Sequence, residues 1–373
     1  MGILEIALRL MGISYPGFYR PDLHLGASLR PGICASYSKE GHSHVQINSQ
    51  GWHDRERSLK KTRGVLRIAV LGDSFVEAFH VSWENSLCQV IGGDLIKRLA
   101  VDSQHDPVEV LNFGVSGYGT AQELLAYRHC VRHYSPDLVV LAVFTGNDIR
   151  ENSRALERER TRPFFVCHEN RLEEDDSFLA SPQYRQLTSR RTRFIQHILD
   201  ASYLAQFAYE YKSRFVQAMH PAGNNPGGLN DGVYLEPHDE AWSDAWRVTE
   251  ALIAKLDEEV KADGSRLLVV TLSNPIQVHP DCALRARLAA SLFYPDDRIE
   301  EFCRRNHIAE LSLVRPLQRL ADREHLFLHG FSNTTLGCGH WNENGHRCAG
   351  ELISEYIHQN ILPQLRRDGV NRR

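Results

Sequence analysis

The order of apolar runs along the chain constrains its fold more than any other feature. Leu66 to Leu71, Val108 to Phe113, Leu138 to Phe144 and Arg266 to Leu272 each read as a strand. Between the first two, Ser86 to Leu99 carries Leu87, Val90, Ile91, Leu95 and Leu99 at helical spacing, and Thr120 to Tyr134 reads as a second helix. The first strand is broken only by Arg67, the pattern of a strand covered on both faces. Strand and helix in alternation predict an α/β fold, a doubly wound, mainly parallel sheet flanked by helices. Right-handed connections then bring the strand ends to one edge. Farther on, Trp242, Trp246, Ile253, Leu256 and Val260 mark the core face of a long helix. A helix near Asp296 to Asn306 leads to a short strand at Ile308 to Leu311, and a last helix over Gly345 to Asn360 carries His346, Ala349, Leu352, Ile353 and Ile357 at core spacing.

Three of these strands end in polar turns. The first stops at Gly72-Asp73-Ser74, the second at Asn112-Phe113-Gly114-Val115-Ser116-Gly117, and the third at Thr145-Gly146-Asn147-Asp148. Gly339-His340-Trp341-Asn342-Glu343 precedes the final helix. Asp73 and Ser74 suit a helix cap, and taken alone the motif favours that reading over a nucleophile presented at a sheet edge; the blocks that accompany it raise the second. Taken in order, the blocks resemble those of the SGNH hydrolases, the GDSL-type esterase and lipase superfamily, over Arg67 to Ile149 and again from Arg266 to the C-terminus. The resemblance implies a flavodoxin-like SGNH hydrolase fold with a largely helical insertion. It also implies ester hydrolysis through a Ser74 acyl-enzyme with His340 as base, and no cofactor.

A serine hydroxyl attacks an ester only with a base in reach to take its proton, and the oxyanion formed needs aimed donors. By the resemblance these donors are the backbone N–H of Ser74, the backbone N–H of Gly117 in preference to Gly114, and the side chain of Asn147. Asp73 is expected to hold the turn by bonding its backbone N–H groups. His329 and His346 are the other candidates for the base; the helical spacing of His346 suits a buried structural role better. The family's Asp three residues before the histidine is missing, since position 337 is Gly and no carboxylate lies between Glu324 and His340. The orienting group is therefore open: the main-chain carbonyl of Gly337, Glu343, an acid from elsewhere such as Asp148 or the insertion, or none. The first position of the third block is Thr145 where the family has Gly.

With 373 residues, 42% hydrophobic and 24% charged, the chain can bury a large core. A net charge of −4 gives no overall field toward nucleic acid or an anionic membrane. The basic cluster Arg190, Arg191 and Arg193 reads as a solvated face, and the eight scattered cysteines mostly as buried free thiols, with no metal site at ligand spacing. Residues 1–64, rich in turn signals, read as an N-terminal arm packed on a core domain spanning 65–373, with Val45 to Asn48 as a strand. Glu5 and Arg9 are spaced to pair on the exposed side of a short helix that is too short to span a bilayer, so localisation stays open, including an export signal or anchor lost upstream of Met1. Residues 150–240 break the pattern with an acidic run at Glu173 to Asp176 and a loop at His220 to Gly228, and read as a lid or substrate-binding insertion. The expected partner is a small-molecule or carbohydrate ester carrying a short acyl or acetyl group. The alternatives are O-acyl transfer to a glycan, or a catalytically weak carbohydrate-binding relative.

Overall fold

The computed structural model describes residues 2–102, 107–168, 171–219, 231–286 and 292–371. At its centre is a parallel sheet of β1 (Leu66–Gly72), β2 (Val108–Gly114), β3 (Leu138–Val143), β4 (Arg266–Thr271) and β5 (Ala309–Ser312), ordered β2-β1-β3-β4-β5. This is the flavodoxin-like order of a doubly wound fold, whose winding reverses between β1 and β3. Ligands of such sheets bind outside the strand C-termini at that reversal. Ser74 follows β1 there by two residues.

The connecting helices include α1 (Ser74–Glu77), α2 (Leu87–Val101), α3 (Thr120–His129), α4 (Glu240–Ala262), α5 (Tyr294–Arg305), α6 (Val314–Glu324) and α7 (Glu343–Tyr356). Strand residues alternate between two cores, as a period of two requires. Ala69, Leu71, Leu111, Phe113, Leu141 and Val269 face one core with α3, α4 and α5, where Trp242 and Trp246 are buried as their spacing predicts. Ile68, Val70, Val110, Val140 and Leu268 face the other with α2, α6 and α7. Arg67 is buried at the opposite end of the sheet from Ser74, its guanidinium held by Glu109 and the carbonyls of Leu59 and Tyr134.

The arm forms two hairpins, Tyr19–Asp22 with Gly26–Leu29 and Cys34–Tyr37 with Ser43–Gln46. Only the last of these four strands was expected; the others are short, with little apolar alternation. Leu25, Leu29, Val45 and Ile47 join the core that contains α3. In the insertion, the acidic run pairs with Phe164–His168 as the strand Arg171–Asp175, and helices follow at Pro182–Leu187, Arg190–Ala201 and Tyr203–Met219. The loop His220 to Gly228 lies outside the described residues. All eight cysteines are free, but Cys88, Cys303 and Cys348 alone are buried, fewer than expected. Among the described residues no helix is long and apolar enough to cross a membrane.

Candidate active site

The turn after β1 is built by packing and one cap. A Cβ on Gly72 would come within 2.4 Å of Val76, so only glycine lets α1 fold back onto its own strand. Asp73 caps α1, its Oδ1 accepting from the Phe75 N–H at 2.9 Å, as expected of a turn-holding residue. Burial pushes the Asp73 carboxyl up to about 6, against the lowering influence of that N–H. Ser74 thus opens α1 with its Oγ 2.8 Å from His340 Nε2. Asn342, two residues after that histidine, caps α7 by accepting from Asn344 and Gly345. Trp341 is anchored through its indole N–H on Ser273 Oγ at 2.9 Å. His340 is therefore anchored through the two residues that follow it, with the Phe75 ring 5.1 Å from its own.

The other ring nitrogen meets a residue that the sequence did not suggest. Glu40, between the two strands of the second arm hairpin, places Oε2 2.6 Å from His340 Nδ1 and takes the His340 backbone N–H on Oε1 at 2.7 Å. Burial alone would raise the Glu40 carboxyl, but the hydrogen bonds and charge of His340 outweigh it and hold the group below its usual range. The hairpin tip is clamped. Asn333 accepts from the Gly41 N–H at 2.9 Å and donates to the carbonyls of Ser38 and Gly41. At Gly41, φ is +70° and a Cβ would lie 2.1 Å from the His80 carbonyl oxygen.

Glu40 is an acid from elsewhere in the chain, and none of the groups named from the sequence takes its position. Position 337 has no space for the family's Asp: φ is +79°, and a Cβ there would come within 2.5 Å of the His279 ring. Glu343 is exposed in the first turn of α7, while the Nδ1 it would need is occupied by Glu40. Asp148 is buried and accepts from the Phe144 N–H at 2.8 Å, closing the turn after β3; burial and its acidic neighbours drive its carboxyl well above the usual range. His346 is fully buried with neither ring nitrogen partnered among the described residues, and burial lowers it to about 3. His329 bridges Gly339 O and Ser273 Oγ and is likewise lowered by burial to about 3.

The groups expected to donate to an oxyanion lie on the same edge. Gly117 has φ +78° and sits in the turn after β2, whose Ser116 N–H is held by Glu77 Oε1 at 3.0 Å. Glu77 in turn receives the Tyr19 hydroxyl of the arm, and burial pushes its carboxyl up to about 8. Gly114 is a packing position, since a Cβ there would meet the Glu77 backbone nitrogen at 2.3 Å. Asn147 stands at the N-terminus of the short helix after β3, its side chain making no capping hydrogen bond and its amide lowering the Asp73 carboxyl. Its amide N–H groups are donors of the kind an oxyanion needs. Thr145 Oγ1 accepts from Asn274, and Gly146 is needed because a Cβ would meet Asn274 Oδ1 at 2.2 Å.

His80 completes the surroundings, its ring stacked on His340 with centroids 3.9 Å apart and planes 17° from parallel. Burial drives it well below its usual range, so a neutral ring backs the base. Glu40, His80 and His340 offer three donor atoms within 4.8 Å of one another, the one such group among the described residues. Near-parallel rings aim their in-plane lone pairs side by side rather than at one point, and the Nδ1 position is taken by Glu40. The set suits a hydrogen-bonded chain better than a metal.

No protein-family model matches the chain, and no curated protein does. Among solved structures, it is similar to a putative lipolytic protein of the G-D-S-L family from Desulfitobacterium hafniense DCB-2, at 12% identity and a TM-score of 0.38, covering 78% of this chain and 98% of that one. It is similar to the acetyl xylan esterase AlAXEase at 11% identity and a TM-score of 0.40, over 79% of this chain and all 100% of the other. A catalytic mutant of Axe2, an acetylxylan esterase from Geobacillus stearothermophilus, aligns at 11% identity and a TM-score of 0.40, over 78% and 93% of the two chains. Likeness of this degree assigns no activity to this chain.

Proposed function

We propose that this protein is an SGNH-type serine esterase that hydrolyses a carboxylic ester through a Ser74 acyl-enzyme. The single observation that carries the reading is the relay Ser74 Oγ, His340 Nε2, His340 Nδ1 and Glu40 Oε2, with successive contacts of 2.8 and 2.6 Å. Ser74 Oγ bonds to the ester carbonyl carbon while its proton passes to His340 Nε2. The negative charge moves to the carbonyl oxygen, facing the N–H groups of Ser74 and Gly117 and the amide of Asn147. Glu40 accepts the Nδ1 hydrogen bond, fixes the tautomer and stabilises the imidazolium. Collapse breaks the bond to the alcohol, which leaves with the proton from Nε2. Water then repeats the sequence on the acyl-enzyme and frees the acid. Glu40 acts through His340 and is a positioning residue.

A short acyl group suits the surroundings of the donor turn: a Cβ on Gly117 would stand 3.7 Å from the Arg162 guanidinium, a polar wall for a long aliphatic chain. Arg162 and the insertion helices come from residues 150–240, which we propose shape the substrate site. An intact relay argues against a binding module that has lost its chemistry. Transfer of the acyl group to a glycan hydroxyl uses the same intermediate, and product analysis with and without a sugar acceptor decides between them.

The test is labelling by a fluorophosphonate probe with mass mapping, together with hydrolysis of p-nitrophenyl acetate. Label on Ser74 and a loss of about 10⁴-fold or more in kcat for Ser74→Ala are expected. Label on another residue, or none on folded protein, would falsify the assignment.

A further inference from the structure

The first helix of the arm is turned inside out. In Ile3–Leu10 the residues facing the protein are Glu5 and Leu8, while Ile3, Leu4, Ile6 and Leu10 are exposed, Ile3 by 88% and Leu10 by 83%. The expected Glu5–Arg9 pair forms at 2.7 Å, but on the buried side. Glu5 also accepts from Ser202 Oγ and from the N–H groups of Tyr203 and Leu204, so it nails the helix to the junction of the two long insertion helices. Arg9 adds a bond to the Ala201 carbonyl and lies over the Tyr203 ring. An aqueous surface helix does the reverse and hides its aliphatic side.

The neighbouring insertion helices continue the same character. Arg190–Ala201 buries none of its residues and exposes Phe194, Ile195 and Ile198 beside Arg190, Arg191 and Arg193. Tyr203–Met219, packed against both other helices, exposes Leu204, Tyr209, Tyr211, Phe215 and Met219. Over positions 182–219 the sequence has six Lys or Arg and two acids, Asp200 and Glu210, in a chain whose net charge is −4. Asp200 is paired with Arg30. One helical layer thus carries exposed aliphatic and aromatic side chains among positive charges. Such a face is expensive in water and matched to the boundary between headgroups and acyl chains of an anionic bilayer.

We propose that this layer, the helix Ile3–Leu10 with Arg190–Ala201 and Tyr203–Met219, is a docking surface for an anionic phospholipid membrane. The aliphatic and aromatic side chains enter the interface and Arg190, Arg191 and Arg193 meet the lipid phosphates. The surface holds the protein against one leaflet.

Flotation of the full chain with vesicles of equal parts phosphatidylglycerol and phosphatidylcholine, against vesicles of phosphatidylcholine alone, tests this. Association with the anionic vesicles only, weakening with salt, is expected. Replacing Arg190, Arg191 and Arg193 together by Gln should lower partitioning about fivefold per arginine, roughly a hundredfold in all. Phe194→Ser with Ile198→Ser should lower it about tenfold or more at every salt concentration. Thermal melts identify any variant that has lost its fold. No binding to anionic vesicles, or binding that neither set of substitutions reduces, overturns the proposal. So does a dimer seen by light scattering that Phe194→Ser dissolves, since the face would then be covered by a second copy.

Discussion

The turn after β1 and the tip of the second arm hairpin both end on His340, but they are held there differently. The turn is continuous with a strand whose residues from Arg67 to Gly72 are buried, so the position of Ser74 follows from the packing of the sheet. The hairpin tip is a surface excursion positioned by a few hydrogen bonds, chiefly to Asn333, and by a glycine pressed against His80. Core packing sets the proposed nucleophile, whereas reversible polar contacts set the group proposed to orient its base. Substitutions in the two regions should fail in different ways: through stability in the sheet region, and through turnover at the hairpin.

Of the substitutions that bear on this comparison, Glu40→Gln gives the largest expected effect. The amide keeps the shape but loses the charge and can force the wrong histidine tautomer, so kcat should fall by about 10³–10⁴-fold with little change in KM. Thermal stability should drop far less than activity, and fluorophosphonate labelling of Ser74 should slow in proportion to kcat. A parallel rise in KM without loss of kcat would break the comparison, because Glu40 would then belong to substrate binding.

On the packing side, His346→Ala should cost about 2–4 kcal/mol of stability by opening a cavity beside Trp341 while leaving the kcat of the folded enzyme close to native. A pH series sharpens this. Burial lowers His346 and His329 to about 3, whereas an unfolded chain titrates them near its ordinary value of about 6.5. Between those values the unfolded state binds protons that the native state refuses. The contribution of these residues is therefore complete above about pH 6.5 and declines as the pH falls toward 3. His346→Leu, which keeps volume and cannot titrate, should flatten that decline in urea melts recorded from pH 7 to pH 4.

What could be read from the sequence follows the same division. The five core strands, the two buried tryptophans and the meeting of Ser74 with His340 depend on apolar period and on blocks adjacent to strand ends, both local signals. Glu40 lies in a hairpin of polar, four-residue strands and reaches a histidine 300 positions away, so no spacing pattern announces it. One clue was available: a base without an acid near it in sequence requires one from elsewhere. Which of many acids could not follow, because hairpin register and the clamp at Asn333 are tertiary facts. His80 was missed for the same reason; it follows α1 by three residues and becomes significant only when its ring stacks on His340.

Asn333→Ala tests whether the hairpin contacts matter only through Glu40. Removing three hydrogen bonds at the tip should cost roughly 1–2 kcal/mol of positioning, or about tenfold in kcat. In a Glu40→Gln background the same change should do almost nothing, since nothing remains there to position. Additive losses would mean that the tip contributes to the site by a second route.

Glu343→Gln is the smallest expected effect and the most direct check on where the acid resides. Glu343 stands next in sequence to the site and is exposed in the first turn of α7. Its charge interacts favourably with that helix terminus, which at an exposed position is worth about 0.3–1 kcal/mol. Neutralising it should therefore lower the melting temperature slightly and change kcat by less than about twofold, since tenfold in rate requires about 1.4 kcal/mol at the transition state. A large fall in kcat in Glu343→Gln with native activity in Glu40→Gln would reverse the assignment and return the orienting role to a residue local to the histidine.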